Sequence, residues 1–576
     1  MARLSRRQMI SGMAGATGAA ILAACGSSSA TTAPASGTQA PAATTGSTAA
    51  TKAPAATTGG ATAAATSATG ATAAPGSAGA TPAPAGAAAA PGKKGGMIRA
   101  ELDSDIANLD PLLSTLLVDR QVLYSLYDSL VAIDANLKII PSLAQSWETP
   151  DPKTYVFKLR TDVKFQDGTD FNADAVKFNI ERYLNDKNSR RKSDIDNITA
   201  VDVVDPATVK FTLKAPFAPL LATLVDRAGM MVSPKAVMVG GQDFTRKPVN
   251  AGTGAFRFVE WVTGDHITVE RNPNYWKKDS AGTQLPYVDK VVYRPFPDET
   301  VALTNMKTGD ADVSFIVPAK DYMGTKSGGE LVLKDVPGLG FASVELNTQS
   351  EPFNKKELRQ SVAEAINRDE LLKTVFFGTG QPSFGPYPPT SFASDANYKP
   401  YTGSADKAKS YLMAAGKPMG FTFEMKIASN SPTTTQLAQL MKDQLAKAGI
   451  TMNITQLEFT KVVQDQQNGA FQASLVGWSG RIDPDGNSYN HFHTGGSLND
   501  PKYTNPQVDM LLEQARAEGD QAKRKDLYMQ VQKIVVDDAP FVFYRFPPSY
   551  LLTRPNVLGM QLYADQIMRF EAASLK

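Results

Sequence analysis

Cys25 is the single cysteine of the 576-residue chain, and His266, His491 and His493 are its three histidines. A disulfide scaffold, a zinc–cysteine centre and a Cys/His nucleophile pair are therefore excluded together. Two spacings still invite chemistry. His491-Phe492-His493 would set two imidazoles on one side of a strand, the beginning of a metal site. Two nitrogens without further ligands and an ordered outer shell do not hold an ion, so no metal is expected. Asp483-x-Asp485-x-Asn487 starts like a calcium loop, but Ser488 stands where that loop needs glycine and Thr494 where it needs glutamate. Gly477-Trp478-Ser479-Gly480 lacks nucleophile-elbow spacing, and neither H-E-x-x-H nor G-x-x-x-x-G-K-[ST] occurs. With 57 acidic residues, carboxylate pairs discriminate nothing. No residue set favours an enzyme or calls for a cofactor.

Charge narrows the partners. Residues 1–96 carry six basic side chains and no acid, which leaves 53 basic against 57 acidic residues in the other 480, a net of −4. A body without basic excess is not built to neutralise phosphates, so a nucleic-acid partner is not expected. The leader, residues 1–25, opens with three arginines and continues into a weakly apolar Gly/Ala-rich run of about 13 residues, too short to span a bilayer as a helix. It reads as an export signal. Ser5-Arg6-Arg7-Gln8-Met9-Ile10 is similar to a twin-arginine signal, and Leu22-Ala23-Ala24-Cys25 resembles a bacterial lipobox, whose cysteine is acylated. Residues 26–96 are mostly Ala, Thr, Gly, Ser and Pro, without large apolar side chains before Met97. Such a segment cannot bury enough surface to offset its ordering entropy, and reads as a disordered tether. As a coil its 67 residues from Gly26 to Gly92 would span roughly 45 Å, and its threonines could carry sugars.

The elements that must position any site lie beyond residue 96. Tyr155–Arg160 and Val209–Leu213 alternate like half-buried strands. Asn354 followed by Glu357 predicts a helix start, with Leu358, Val362, Ala365 and Ile366 on one face. Thr433–Ala448 repeats the helical pattern with Leu437, Leu440, Met441 and Leu445, stopped by Gly449; Ala522–Val536 does so with Leu527, Val531, Ile534 and Val535. Interleaved strands and helices predict α/β layers, and no internal repeat is found.

Ordered motifs give this body a resemblance. Pro141-Ser142-Leu143-Ala144-Gln145-Ser146-Trp147-Glu148 is followed by residues 154–178, then Gly252-Thr253-Gly254-Ala255-Phe256 and Glu270-Arg271-Asn272-Pro273-Asn274-Tyr275-Trp276. Phe353–Arg368, Gly477-Trp478, Asp483-Pro484-Asp485 and Asn505-Pro506 with Val508-Asp509 complete the series. Taken in order, across about residues 100–560, they resemble the family-5 extracytoplasmic solute-binding proteins of peptide, nickel and opine ABC importers. The resemblance implies a two-lobed periplasmic-binding-protein-like α/β fold (type II, cluster C) with a two-strand hinge. Lobe I would take 97–339 plus 544–576, with an extra subdomain at about 138–250, and lobe II would take 340–543. It implies a monomeric receptor, lipid-anchored through Cys25 on the outer face of the cytoplasmic membrane. Such a receptor closes on a solute and delivers it to a permease driven by separate ATPase subunits.

The same resemblance points to ligand contacts. Dipeptide binders of the family hold the ligand's amino terminus with an acid three places after the tryptophan equivalent to Trp478. Here that place is Arg481, with Ser479 before it and Asp483 after it. An arginine fork suits a carboxylate or phosphate and repels an ammonium; alternatively Arg481 pairs with Asp483 or Asp485 and only orders its loop. The arginine that those binders carry before a lobe II helix is absent from Ala428-Ser429-Asn430-Ser431-Pro432. Phe459, Thr115 and the Phe341–Asn347 segment, with Phe341 and Asn347 at its ends, complete the expected contacts. The expected solute is a peptide, with an anionic or opine-like molecule as the alternative. An exported hydrolase or a sensory receptor on the same fold are the competing classes.

Overall fold

The computed structural model describes residues 92–429 and 431–576. The leader, Cys25 and all but the end of the tether lie outside the described residues. Among the described residues no helix is long and apolar enough to cross a membrane.

Two α/β bodies are built on two sheets. The first sheet has seven strands, in the order Val332–Pro337, Pro548–Thr553, Val313–Ser314, Met97–Leu102, Lys290–Pro295, His266–Arg271 and Phe256–Val262. The second has six, in the order Gln381–Pro382, Phe541–Phe546, Phe341–Leu346, Ala473–Trp478, Thr422–Ala428 and Thr451–Leu457. Each sheet has its own apolar core, around Ile98, Val291 and Tyr293 in one and around Val344, Met425 and Phe543 in the other.

The chain passes between the sheets twice, side by side. Val332–Pro337 runs through Gly338-Leu339-Gly340 into Phe341–Leu346, and Phe541–Phe546 returns through Pro547 into Pro548–Thr553. The two passages are antiparallel on both sides of the crossing, with Pro337 opposite Pro548 and Ala342 opposite Arg545. Gly340 is required there, since a Cβ on it would sit 1.8 Å from the carbonyl oxygen of Trp478. Gly480 answers from the other side: it has φ +83° and forms a bridge with Leu339.

A separate antiparallel sheet of four strands orders Ala144–Asp151, Thr154–Leu159, Thr208–Leu213 and Ile198–Asp205. Its two middle strands are the pair whose alternation shows in the sequence. Phe157 and Phe211 meet at 5.1 Å between ring centroids, under the helix Ala173–Asn185, whose N-terminus is capped by Asn172. Each such buried ring contributes about 1.5–3 kcal/mol by leaving water.

The predicted helices form with shifted ends. Pro432–Lys447 starts on a Ser431 cap and buries Leu437, Met441 and Leu445. Gln521–Asp538 starts on Asp520, which accepts from the amides of Ala522 and Lys523. Lys356–Ala365 buries Leu358, Val362 and Ala365 as expected, but Lys355 rather than Asn354 is its cap, and no side chain serves it. The lost cap, an effect of about 1 kcal/mol, is offset by the buried face.

Candidate ligand-binding cleft

The paired crossings form the floor of a cavity of about 530 Å3 between the two bodies. One wall offers Thr115, Leu116 and Phe315, and the other Phe341, Phe459 and Trp478. The Trp478 ring is held rather than merely packed. Its Nε1 donates to Oδ1 of Asn487 at 3.0 Å, the same oxygen accepts from the Arg481 amide at 2.9 Å, and Nδ2 of Asn487 donates to the Leu339 carbonyl at 2.9 Å. One buried amide thus ties the aromatic wall to the crossing. His491 lies edge-on to both Trp478 and Phe341, at 4.7 and 5.6 Å between centroids. Burial, reinforced by the charge of Arg481, pushes its pKa down to about 3, so the ring is neutral.

A smaller chamber of about 70 Å3 adjoins this cleft and shares Thr115, Trp478 and Leu498 with it. It is the charged part of the site. Asp226, from the first body, takes Nε of Arg120 at 3.1 Å and stands 2.8 Å from Nε of Arg481, which comes from the second. The latter contact is an ion pair rather than an aligned hydrogen bond. Burial alone would raise the Asp226 carboxyl, but the guanidiniums of Arg120, Arg481, Arg227 and Arg191 outweigh it and hold it far below the usual carboxylate range. Arg227 is completely buried, donates to the carbonyl and hydroxyl of Ser114, and sets its Nε 3.8 Å from Oδ1 of Asp226 without a hydrogen bond. Burial first, and Arg191 next, push its pKa well below the usual arginine value.

Further polar contacts join the bodies across the cleft. Glu299 accepts from the amide of Thr433 at 3.3 Å and from its hydroxyl, Arg120 reaches Oγ of Ser479 at 3.4 Å, and Nδ2 of Asn490 donates to Asp194 at 2.7 Å. The arrangement leaves a cleft and a side chamber lined by aromatic and polar groups from both bodies. It assembles no nucleophile–base pair, and among the described residues no three potential ligands group to hold a metal.

The expected residues fall into three sets. Thr115, Phe341, Phe459, Trp478 and Ser479 all line the main cleft. Arg481 and Asp483 line the side chamber, but not as expected. Arg481 pairs with neither Asp483 nor Asp485, because Arg524 grips Asp483 at 2.9 and 2.7 Å and Arg516 grips Asp485 at 2.8 and 3.0 Å. Its partner is Asp226. Asn347 does not reach the cleft: it is buried, and its Nδ2 donates to the carbonyls of Gly469 and Phe471, which a strand end would otherwise leave bare.

The His491–His493 pair is also rearranged. Tyr489–Phe492 is a helical turn, so the two imidazoles part, and His493 contacts the Thr494 carbonyl and Glu513. Sequence reasoning missed Asp226, Arg227, Asn487 and two acids on the main cleft, Glu345 and Asp500. Glu345 left one signal, an acid between Val344 and Leu346 in an apolar strand.

Comparison with known proteins gives a consistent result. The model described as "Bacterial extracellular solute-binding proteins, family 5 Middle" matches residues 138–499. The glutathione-binding protein GsiB of Pectobacterium atrosepticum is 31% identical over 484 residues, covering 82% of this chain and 93% of that protein. The periplasmic binding protein DppA of Helicobacter pylori, solved with the peptide STSA, superposes with a TM-score of 0.76 at 27% identity. That match covers 84% of this chain and 98% of DppA. AgaA of A. tumefaciens R10, solved with agropinic acid, gives a TM-score of 0.76 at 27% identity, covering 84% of this chain and 99% of AgaA.

Proposed function

The chain belongs to family 5 of the bacterial extracellular solute-binding proteins, and on that premise we propose that it captures a small peptide between two closing lobes. Members of this family are binding proteins of ABC importers rather than enzymes, and so is this chain. In the proposed reading Cys25 carries the lipid after twin-arginine export, 26–96 holds the body off the outer face of the cytoplasmic membrane, and a single copy serves the permease. Lobe I comprises 97–339 plus 544–576, with the subdomain at about 138–250, and lobe II comprises 340–543. The hinge is the double crossing around these boundaries, where Val332–Pro337 runs into Phe341–Leu346 and Phe541–Phe546 into Pro548–Thr553.

The cleft of about 530 Å3, open to groups from both bodies, is the observation that supports the reading most. That size suits a ligand of a few residues, since small-molecule sites run from about 300 to 1,000 Å3. Closure energy then comes from contacts that exist only when both lobes meet, such as Arg481 with Asp226 and Glu299 with Thr433. Peptide is favoured over other solutes because the GsiB relative is named for glutathione, a tripeptide, and DppA was solved with a peptide.

A second reading, an opine-like anionic solute, draws on the buried guanidiniums of the side chamber and on AgaA with agropinic acid. Thermal-shift measurements with glutathione, trialanine and agropinic acid separate the two. Stabilisation by the peptides supports the first reading, and stabilisation by the opine alone replaces it with the second.

A further inference from the structure

Glu345 is an acid of the cleft with one carboxyl oxygen that the fold leaves without a hydrogen-bond partner. It sits in Phe341–Leu346, opposite Ser474 on one side and Phe541 on the other, so strand pairing on both flanks fixes its place. The residue is 8% exposed, it lines the main cavity, and its Oε2 is buried without a hydrogen-bond partner. Oγ of Ser474 accepts from Nε2 of Gln466 at 2.7 Å. Asp500, half-buried on the same cavity, adds a second carboxylate. Lys502 and Arg190 act on Asp500 only as charges; Arg190 gives its Nη2 to Gln467 at 3.5 Å. A purely structural acid of this fold looks different. Glu364, also buried, accepts from Oγ1 of Thr402 at 2.6 Å and from the Ser404 amide at 3.2 Å.

We propose that Glu345 and Asp500 form a subsite for a protonated nitrogen of the solute, an ammonium or guanidinium group, so that the cleft selects cationic or zwitterionic molecules. The inference rests on the solute-receptor reading and gives its ligand a charge. An unserved buried carboxylate is costly, and an ammonium supplies up to three donors to such a pair. Two carboxylates alone are too few for a hard metal ion, which takes six or more oxygens or keeps most of its waters. Burial, with Asp500 next, raises the Glu345 pKa well above the ordinary range, and burial raises that of Asp500 to about 6. An arriving cation therefore ionises Glu345, and the carboxyl proton passes to solvent.

Titration calorimetry on the protein, Glu345→Gln and Asp500→Asn tests this with three probes: trialanine, N-acetyltrialanine and agmatine. Acetylation should weaken trialanine binding about tenfold or more, and Glu345→Gln should abolish that difference. Trialanine binding near neutral pH should release a proton, seen as heat that varies with the buffer's ionisation enthalpy, and Glu345→Gln should bind without release. Equal affinity for the two tripeptides, or a preference that survives in both variants, overturns the subsite while leaving the peptide reading intact. Glu345-dependent binding of agmatine with no binding of either tripeptide supports the subsite and overturns the peptide reading. Failure of all three probes to bind at millimolar concentration overturns the subsite. Circular dichroism of the variants excludes misfolding as the cause of a loss.

Discussion

Arg481 of the second body and Asp226 of the first face each other across the side chamber, Nε to Oδ2, at 2.8 Å. Asp226 also holds Arg120 on its own side of this contact, whereas the ion pair of Arg481 is with Asp226. The pair therefore couples the two bodies, and its two halves are not equivalent. Removing Asp226 takes from Arg481 its carboxylate and from Arg120 its closer one, whereas removing Arg481 leaves Asp226 with Arg120.

The first prediction uses that asymmetry. Asp226→Asn should cost about 3–5 kcal/mol of unfolding free energy, the range for breaking a buried pair from one side. Arg481→Ala should cost clearly less. Urea titrations of both variants give the comparison, and an equal or reversed order would contradict the shared-carboxylate arrangement.

A second prediction concerns acid. His491 has a folded pKa near 3 and an unfolded value near 6.5, so between these the unfolded chain binds more protons. The histidine's contribution is complete above pH 6.5 and is lost as pH falls toward 3. His491→Phe, which keeps a ring against Trp478 and Phe341, should lose less stability than the parent between pH 7 and pH 4. Parallel melting curves against pH would show that His491 is not the neutral buried ring described above.

Glu345 works with the opposite sign. Its carboxyl is raised in the fold, so both states are protonated well below pH 4, and the destabilisation develops as pH rises through the unfolded value. Ligand-free Glu345→Gln should be more stable than the parent at pH 7 by on the order of 1–3 kcal/mol, with the gap closing near pH 4. A variant less stable than the parent at pH 7 would mean that the native carboxylate is well served.

The crossing supplies a fourth. Gly340→Ala places a Cβ 1.8 Å from the Trp478 carbonyl, so the strand or the tryptophan loop must shift. Tryptophan fluorescence should change and stability should fall by several kcal/mol, as expected when backbone rather than a flexible side chain is hit. An unchanged spectrum with a fall below about 0.5 kcal/mol, within the ordinary range for surface changes, would rule out that close approach.

What the sequence made legible was periodic. Thr154–Leu159 alternates in burial along its length and Thr208–Leu213 does so from Val209 on, and Pro432–Lys447 is bracketed by a serine cap and Gly449, so local rules sufficed. The aromatic wall of Phe341, Phe459 and Trp478 followed from a resemblance that spans the body. The charged half of the site was not legible, because its partners are far apart in sequence. Nothing near Arg481 announces Asp226, and the two nearby acids belong to arginines on the helices Pro506–Ala517 and Gln521–Asp538. Asn347 illustrates the reverse case: an amide near a crossing suggested a ligand contact, yet the carbonyls at the strand end use it first.

On the proposed reading the cleft holds one small peptide-like solute with a free amine. Native mass spectrometry of the protein purified from its own cells without denaturation tests it most directly. The expected result is a one-to-one complex whose added mass is lost on acid denaturation and belongs to an amine-bearing molecule of a few residues. The bare polypeptide mass from cells supplied with peptides, or a released molecule that is anionic and lacks an amine, would contradict it.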